Sequence, residues 1–144
     1  MESNDTISLL KECDAGTKMA ISSIDEVMSF TVDTKLKDLL SKSKEHHEKL
    51  GLEIHSLLVS CHAEEQEPSS IAKGMSWLKT NFKIAMDESD STIADLITDG
   101  CNMGIKSLHK YLNQYQNADK SSINLCNRLI SIEEKLCQDI QCYL

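Results

Sequence analysis

The chain has 144 residues, with 15 Lys and Arg against 23 Asp and Glu, a formal net charge of -8, five Gly, one Pro and six Cys. That length fits one domain whose core needs no disulfide or metal staples. So few prolines and glycines exclude collagen-like and turn-dense β architectures, and a hydrophobic fraction of 40% excludes wholesale disorder. The charge argues against nucleic acid or a membrane surface as partner, because nothing here neutralises phosphates.

The first residues, Met1 to Thr6, are acidic and polar, without the basic and apolar regions of a secretory signal. No apolar run approaches the ~20 residues that span a bilayer. Cys13, Cys61, Cys101, Cys126, Cys137 and Cys142 form no C-x-x-C pair and sit inside apolar helical patterns. They read as free thiols of a reducing, cytoplasmic compartment.

The first element runs from Ser8 to Phe30, with Leu9, Leu10, Cys13, Ile21, Ile24, Val27 and Met28 on a 3.6-residue stripe and Asn4, Asp5 or Thr6 available as N-caps. Residues 31–34 form a loop, where Asp33 or Thr34 caps the next helix. That second element, Lys35 to Cys61, carries Leu36, Leu40, Ser43, His47, Leu50, Ile54, Leu57 and Cys61 at alternating spacings of four and three, a coiled-coil-like seam. Gly51 inside it costs about 1 kcal/mol relative to Ala and signals close packing. The polar stretch from Ala63 to Ser70, with Pro68, is the longest connection.

A short third helix is expected over Ile71–Met86, with Met75, Trp77, Leu78 and Phe82 as a lid over the core or an interface with another subunit. A fourth element starts near Asp87 and carries Ile93, Ile97, Cys101, Gly104, Leu108 and Tyr111. After a turn at Asn117–Asp119, the fifth carries Ile123, Cys126, Ile130, Glu133, Cys137 and Ile140. The domain therefore divides into hairpin 1 (5–63), crossover (64–87) and hairpin 2 (88–144).

The hairpins look alike. Cys13-Asp-Ala-Gly-Thr-Lys returns as Cys101-Asn-Met-Gly-Ile-Lys, 88 residues on, and Glu48-Lys-Leu returns as Glu134-Lys-Leu, 86 residues on. The difference of two is assigned to the loop inside each hairpin, where length changes are cheap.

Glu67-Pro-Ser-Ser, Gly74-Met-Ser-Trp77-Leu-Lys and Asp87-Glu-Ser-Asp-Ser-Thr-Ile-Ala-Asp-Leu-Ile, with Gly100 and Lys106, make a less generic pattern. On these residues the chain resembles the bacterial ferritin-like bundles grouped as a domain of unknown function, which carry a Pro-Ser-Ser crossover and a Trp-containing short helix. The resemblance implies an all-α, ferritin-like four-helix bundle and a tendency to form a homodimer or larger homo-oligomer. It implies no assigned activity, and it makes metal the first chemical question.

A di-iron carboxylate bundle needs a Glu from each of two helices and Glu-x-x-His from each of the others. Here Glu45 is followed three positions on by Glu48, and Glu133 by Leu136; Cys13-Asp14 and Cys101-Asn102 stand where glutamates belong. The motif is degenerate. His47 and Glu133 correspond across the repeat and both fall on apolar seams. With Cys13 and Cys101 at the same level they form a ligand set that Zn²⁺ accepts; without metal, His47 and Glu133 form a buried hydrogen-bonded pair and the cysteines are core filler. His46, His55, His62 and His109 read as surface or rim residues. The sequence holds no nucleophile elbow, H-E-x-x-H, phosphate loop or dinucleotide fingerprint.

The resulting expectation is a non-enzymatic binding or structural protein without a cofactor. The alternative is an iron, manganese or zinc protein for storage or di-metal oxidase-like redox chemistry, using His47, Glu133, Asp14, Cys13 and Cys101. Thiol redox sensing at Cys137 and Cys142 is a third possibility.

Overall fold

A computed structural model describes residues 3–63 and 89–144. They form four long helices and no strand: α1 (Asn4–Met28), α2 (Thr34–Ser60), α3 (Asp90–Gln114) and α4 (Lys120–Asp139), then a short 3-10 turn at Gln141–Tyr143. The expected short helix at Ile71–Met86, with Met75, Trp77, Leu78 and Phe82, lies outside the described residues.

Each helix starts on a side-chain cap that satisfies an otherwise orphaned N–H. Ser3 Oγ accepts from Thr6 N at 3.1 Å, and Asp33 Oδ1 from Leu36 N at 2.9 Å. In the second hairpin Ser89 Oγ accepts from Thr92 N at 3.2 Å, and Asp119 Oδ1 from Ser122 N at 2.8 Å. The helix α1 therefore begins four residues before the expected Ser8, because Ser3 takes the capping role and leaves Asn4, Asp5 and Thr6 helical.

Helix start for helix start, the hairpins repeat at one spacing, Ser3 to Ser89 and Asp33 to Asp119. Their loops, residues 29–33 and 115–119, are equal in length. The loops thus do not supply the two-residue difference assigned to them, and Cys13 and Cys101 are not equivalent positions of a repeat in this register.

Polar contacts at the two ends fix the topology. Val32 N and Asp33 N, in the α1–α2 turn, both donate to the Asp90 carboxylate at 3.0 Å, so that turn meets the start of α3. At the other end, Asn117 N donates to Asp5 Oδ2 at 2.9 Å and Asp119 N to Thr6 Oγ1 at 2.8 Å, so the α3–α4 turn meets the start of α1. Consequently α3 runs antiparallel to α1, and Ala63 and Ser89 lie at opposite ends of the bundle. The two residues are thus separated by the bundle's length, about 40 Å for a helix the size of α2. This up-down-down-up order is the crossover topology rather than a simple up-down array.

Helix α1 packs on α2 and α3 and reaches α4, while α4 also packs on α2 and α3. Gly51 marks a close α1–α2 approach: a Cβ there would lie 3.4 Å from Thr17 Cγ2. Two apolar clusters fill the interior. One holds Leu9, Leu10, Leu50, Ile54, Leu58, Leu125 and Leu129; the other holds Ile24, Leu36, Leu40, Ile93, Leu136 and Ile140. Neither includes the buried polar residues Thr17, Ser43, His47 and Glu133.

Candidate functional site

The α2 seam carries His47 inward between Leu40 and Leu50, and its ring is fully buried. From α4, between Ile130 and Leu136, comes Glu133, 7% exposed. His47 Nδ1 lies 2.7 Å from the Ser43 carbonyl oxygen one turn back. A carbonyl only accepts, so Nδ1 carries a hydrogen and donates it. On the far side of the ring, Nε2 stands 3.1 Å from Glu133 Oε1. With Nδ1 already protonated, that contact requires another proton, held either by an imidazolium facing a carboxylate or by a carboxyl group facing a neutral ring. Both descriptions place one shared proton in a pair of zero net charge, the form in which ionisable groups tolerate burial.

Burial acts most strongly on His47 and disfavours its charged form. The Glu133 hydrogen bond, the Glu133 charge and the Ser43 carbonyl act the other way and together outweigh it, so the ring's pKa lies above the ordinary histidine value.

Cys101 of α3, 4% exposed, is the third member of this cluster. Burial, then the charge of Glu133 and a hydrogen bond to it, push its thiol well above the ordinary cysteine range. It is a neutral donor to the carboxylate and a poor nucleophile. Cys13 goes elsewhere: it packs with Leu50 and Ile54 at one end of the core and shares a hydrogen bond with Cys126 of α4. That bond, reinforced by burial, raises the Cys13 pKa. Asp14 is buried and pairs with Lys18 Nζ at 3.1 Å. The structure thus joins His47, Glu133 and Cys101, while the expected meeting of both thiols with the pair at one level does not occur. Helices α1 and α3 turn these two cysteines toward different apolar clusters.

One imidazole, one carboxylate and one thiol do not fit a di-iron carboxylate centre, which draws on four glutamates and two histidines. The position three after Glu133 is Leu136, 4% exposed and part of an aliphatic cluster. Among the described residues, no three His, Cys, Asp or Glu side chains converge as a metal site requires. His46, His55, His62 and His109 are all exposed, as expected of surface or rim residues.

Beside the pair lies a feature that the sequence did not reveal. A cavity of about 450 Å³ opens between α1 and α3, with Glu133 and Cys101 among its lining residues. Small residues keep the helices from filling it. A Cβ added to Gly16 or Gly100 would meet nothing within 4 Å, and the nearest atoms to one added to Gly104 would be those of the Glu133 carboxylate, from 3.8 Å. Toward the α1 start Glu12 lines the same space and hydrogen-bonds Tyr111. Ser43 was placed on the seam by its spacing but given no role there; its signal was a polar residue one turn before His47 on an otherwise aliphatic seam.

No family model matches the chain, and no curated protein matches its sequence. Among solved structures, it is similar to the crystal structure of Dps92 from Deinococcus radiodurans, with a TM-score of 0.77 over 97% of this chain and 86% of that one. The sequences are 13% identical, so the likeness concerns the backbone path. No described helix is long and apolar enough to cross a membrane. Four helices, the crossover order and this structural neighbour give the chain a ferritin-like fold.

Proposed function

We propose that this ferritin-like bundle is a non-enzymatic binding or structural protein, in which a proton-sharing His47–Glu133 pair stands where related bundles hold metal. The observation that carries the reading is the Nε2–Oε1 contact of 3.1 Å together with the Nδ1–Ser43 contact of 2.7 Å, which accounts for both ring nitrogens. A pair satisfied in this way needs no cation for stability. Protein purified without chelator or affinity tag tests it by elemental analysis. The expected result is far less than one Fe, Mn or Zn per chain, no gain in thermal stability on adding Fe²⁺ or Zn²⁺, and no oxygen consumption. Stoichiometric metal that disappears in both His47→Ala and Glu133→Ala overturns the reading.

One observation favours a metal-binding alternative. A histidine whose Nδ1–H is fixed by a carbonyl presents Nε2 in the way metal ligands commonly do, and here Glu133 and Cys101 stand beside it. In that case His47, Glu133 and Cys101 would have to close onto the ion, because they do not converge on one point as they stand. Cys13 and Asp14 would have to be drawn in from their present partners.

Placement among the bacterial ferritin-like bundles of unassigned activity belongs to the same reading and rests on the residues around Pro68 and Trp77. A cytoplasmic setting is supported by six cysteines that stand as free thiols. Self-association is supported by Leu52 and Val59, exposed by 70% and 57% and seven residues apart on α2. Sedimentation velocity of the wild type and of Leu52→Glu tests it; a monomeric wild type removes this part of the reading.

A further inference from the structure

We infer that the α1–α3 cavity is a binding site for a small apolar amine, whose protonated nitrogen sits on the free side of the Glu133 carboxylate. This rests on the reading that the pair, rather than a metal, occupies the bundle centre. The space is of the size that small-molecule sites occupy, and its walls are mostly aliphatic with a few polar groups, the usual composition of such a site. Its width comes from Gly16, Gly100 and Gly104, three helix-interior glycines whose missing side chains leave room instead of permitting close helix contact. Since each costs about 1 kcal/mol of helix propensity relative to Ala, the sequence bears a stability cost around this one cavity.

The polar chemistry selects the ligand. Glu133 is 93% buried and lines the cavity, its Oε2 lying 3.8 Å from where a Gly104 Cβ would be. His47 occupies Oε1, and among the described residues no other N–H or O–H reaches this carboxylate; the Cys101 thiol is its remaining neighbour. A carboxylate has about four lone-pair sites, so acceptor capacity is left facing the cavity. The charged residues of the described lining are Glu12 and Glu133, with no Lys, Arg or His among them. An anionic ligand would meet the Glu12 charge and the acceptor lone pairs of Glu133, whose own charge the His47 proton balances, and would find no cation on the described lining. A purely apolar ligand would seal this side of the carboxylate off with only the weak Cys101 thiol to donate to it, which is unfavourable. An ammonium group gives a charge-assisted hydrogen bond, about twice as strong as the neutral bond from an alcohol. Met19 and Met103 on the walls can adapt to the ligand's apolar body.

The test is calorimetric titration of the full chain, with its metal content measured on the same sample, using phenylbutylamine, phenylbutanol and phenylbutanoate. The amine is expected to bind about tenfold or more tighter than the alcohol, and the carboxylate not to bind. Glu133→Gln should abolish the amine's advantage while the alcohol still binds. Gly100→Leu should block both ligands without lowering the melting temperature, since Leu is the better helix residue and has open space to enter. Equal affinity for amine and alcohol, or no binding at millimolar concentration, overturns the inference. So does a Gly100→Leu protein that melts earlier or changes its sedimentation, because the cavity would then be filled by residues 64–88 or by a second copy. Failure of the amine in a metal-free sample sinks this inference alone; failure in a sample carrying stoichiometric metal sinks the preceding reading with it.

Discussion

Toward either end of the bundle the helices meet through aliphatic side chains: Leu9, Ile54, Leu58 and Leu125 on one side, Ile24, Leu36, Leu40 and Ile93 on the other. His47, Glu133 and Ser43 belong to neither cluster. They are as buried as their neighbours, yet tied to one another by directed bonds. The contrast lies in how the parts depend on each other. An aliphatic residue contributes its own area and cavity, roughly independently of which neighbour supplies the surroundings. Each member of the polar cluster is tolerated in the core only while its partner is present.

Substitution at the centre should show this dependence most strongly. His47→Ala or Glu133→Ala alone strands the other group, and each should cost about 3–5 kcal/mol in denaturant unfolding. Replacing both together by Leu and Met should cost far less than the sum, and the double-mutant cycle measures the difference. Additive losses would mean that the two groups do not depend on each other. In the aliphatic region, Leu40→Ala should cost about 2–5 kcal/mol, from lost transfer energy and a residual cavity. Combined with Ile54→Ala in the other cluster, the losses should add to within about 0.5 kcal/mol.

The two regions should also differ in their response to pH. The folded His47 ring keeps its proton above the value of about 6.5 at which an unfolded histidine releases it. Its contribution is therefore complete below that pH and is lost as pH rises through the folded value. The stability difference between wild type and His47→Gln should shrink as pH rises above about 6.5, while the Leu40→Ala difference stays flat. A smaller effect, about 1 kcal/mol, is expected for Asp119→Ala, which removes a cap without touching either region.

Much of the bundle was legible because the aliphatic residues of α2 alternate at four and three. That pattern turned Leu36, Leu40, Ser43, His47, Leu50 and Ile54 inward together, and the structure buries all six. The pairing of His47 with Glu133 followed once both were placed on facing seams. The separation of Cys13 from Cys101 did not follow, because both lie on apolar stripes and the stripe does not say which neighbouring helix a residue will meet. Local similarity 88 residues apart pointed toward equivalence, whereas the caps Ser3, Ser89, Asp33 and Asp119 set the register of the hairpins. The α1–α3 cavity was hidden for a related reason. In the sequence Gly16, Gly100 and Gly104 look like weak points of two helices, and only their packing shows that they face one space.

The ring nitrogens of His47 report most directly on what holds the bundle centre together. In nitrogen-15 spectra of protein purified without chelator, a proton-sharing pair predicts a protonated Nδ1 and an Nε2 hydrogen-bonded to Glu133, both unchanged by added Fe²⁺, Mn²⁺ or Zn²⁺. An Nε2 resonance displaced or broadened by a bound ion, and restored by chelation, would contradict it.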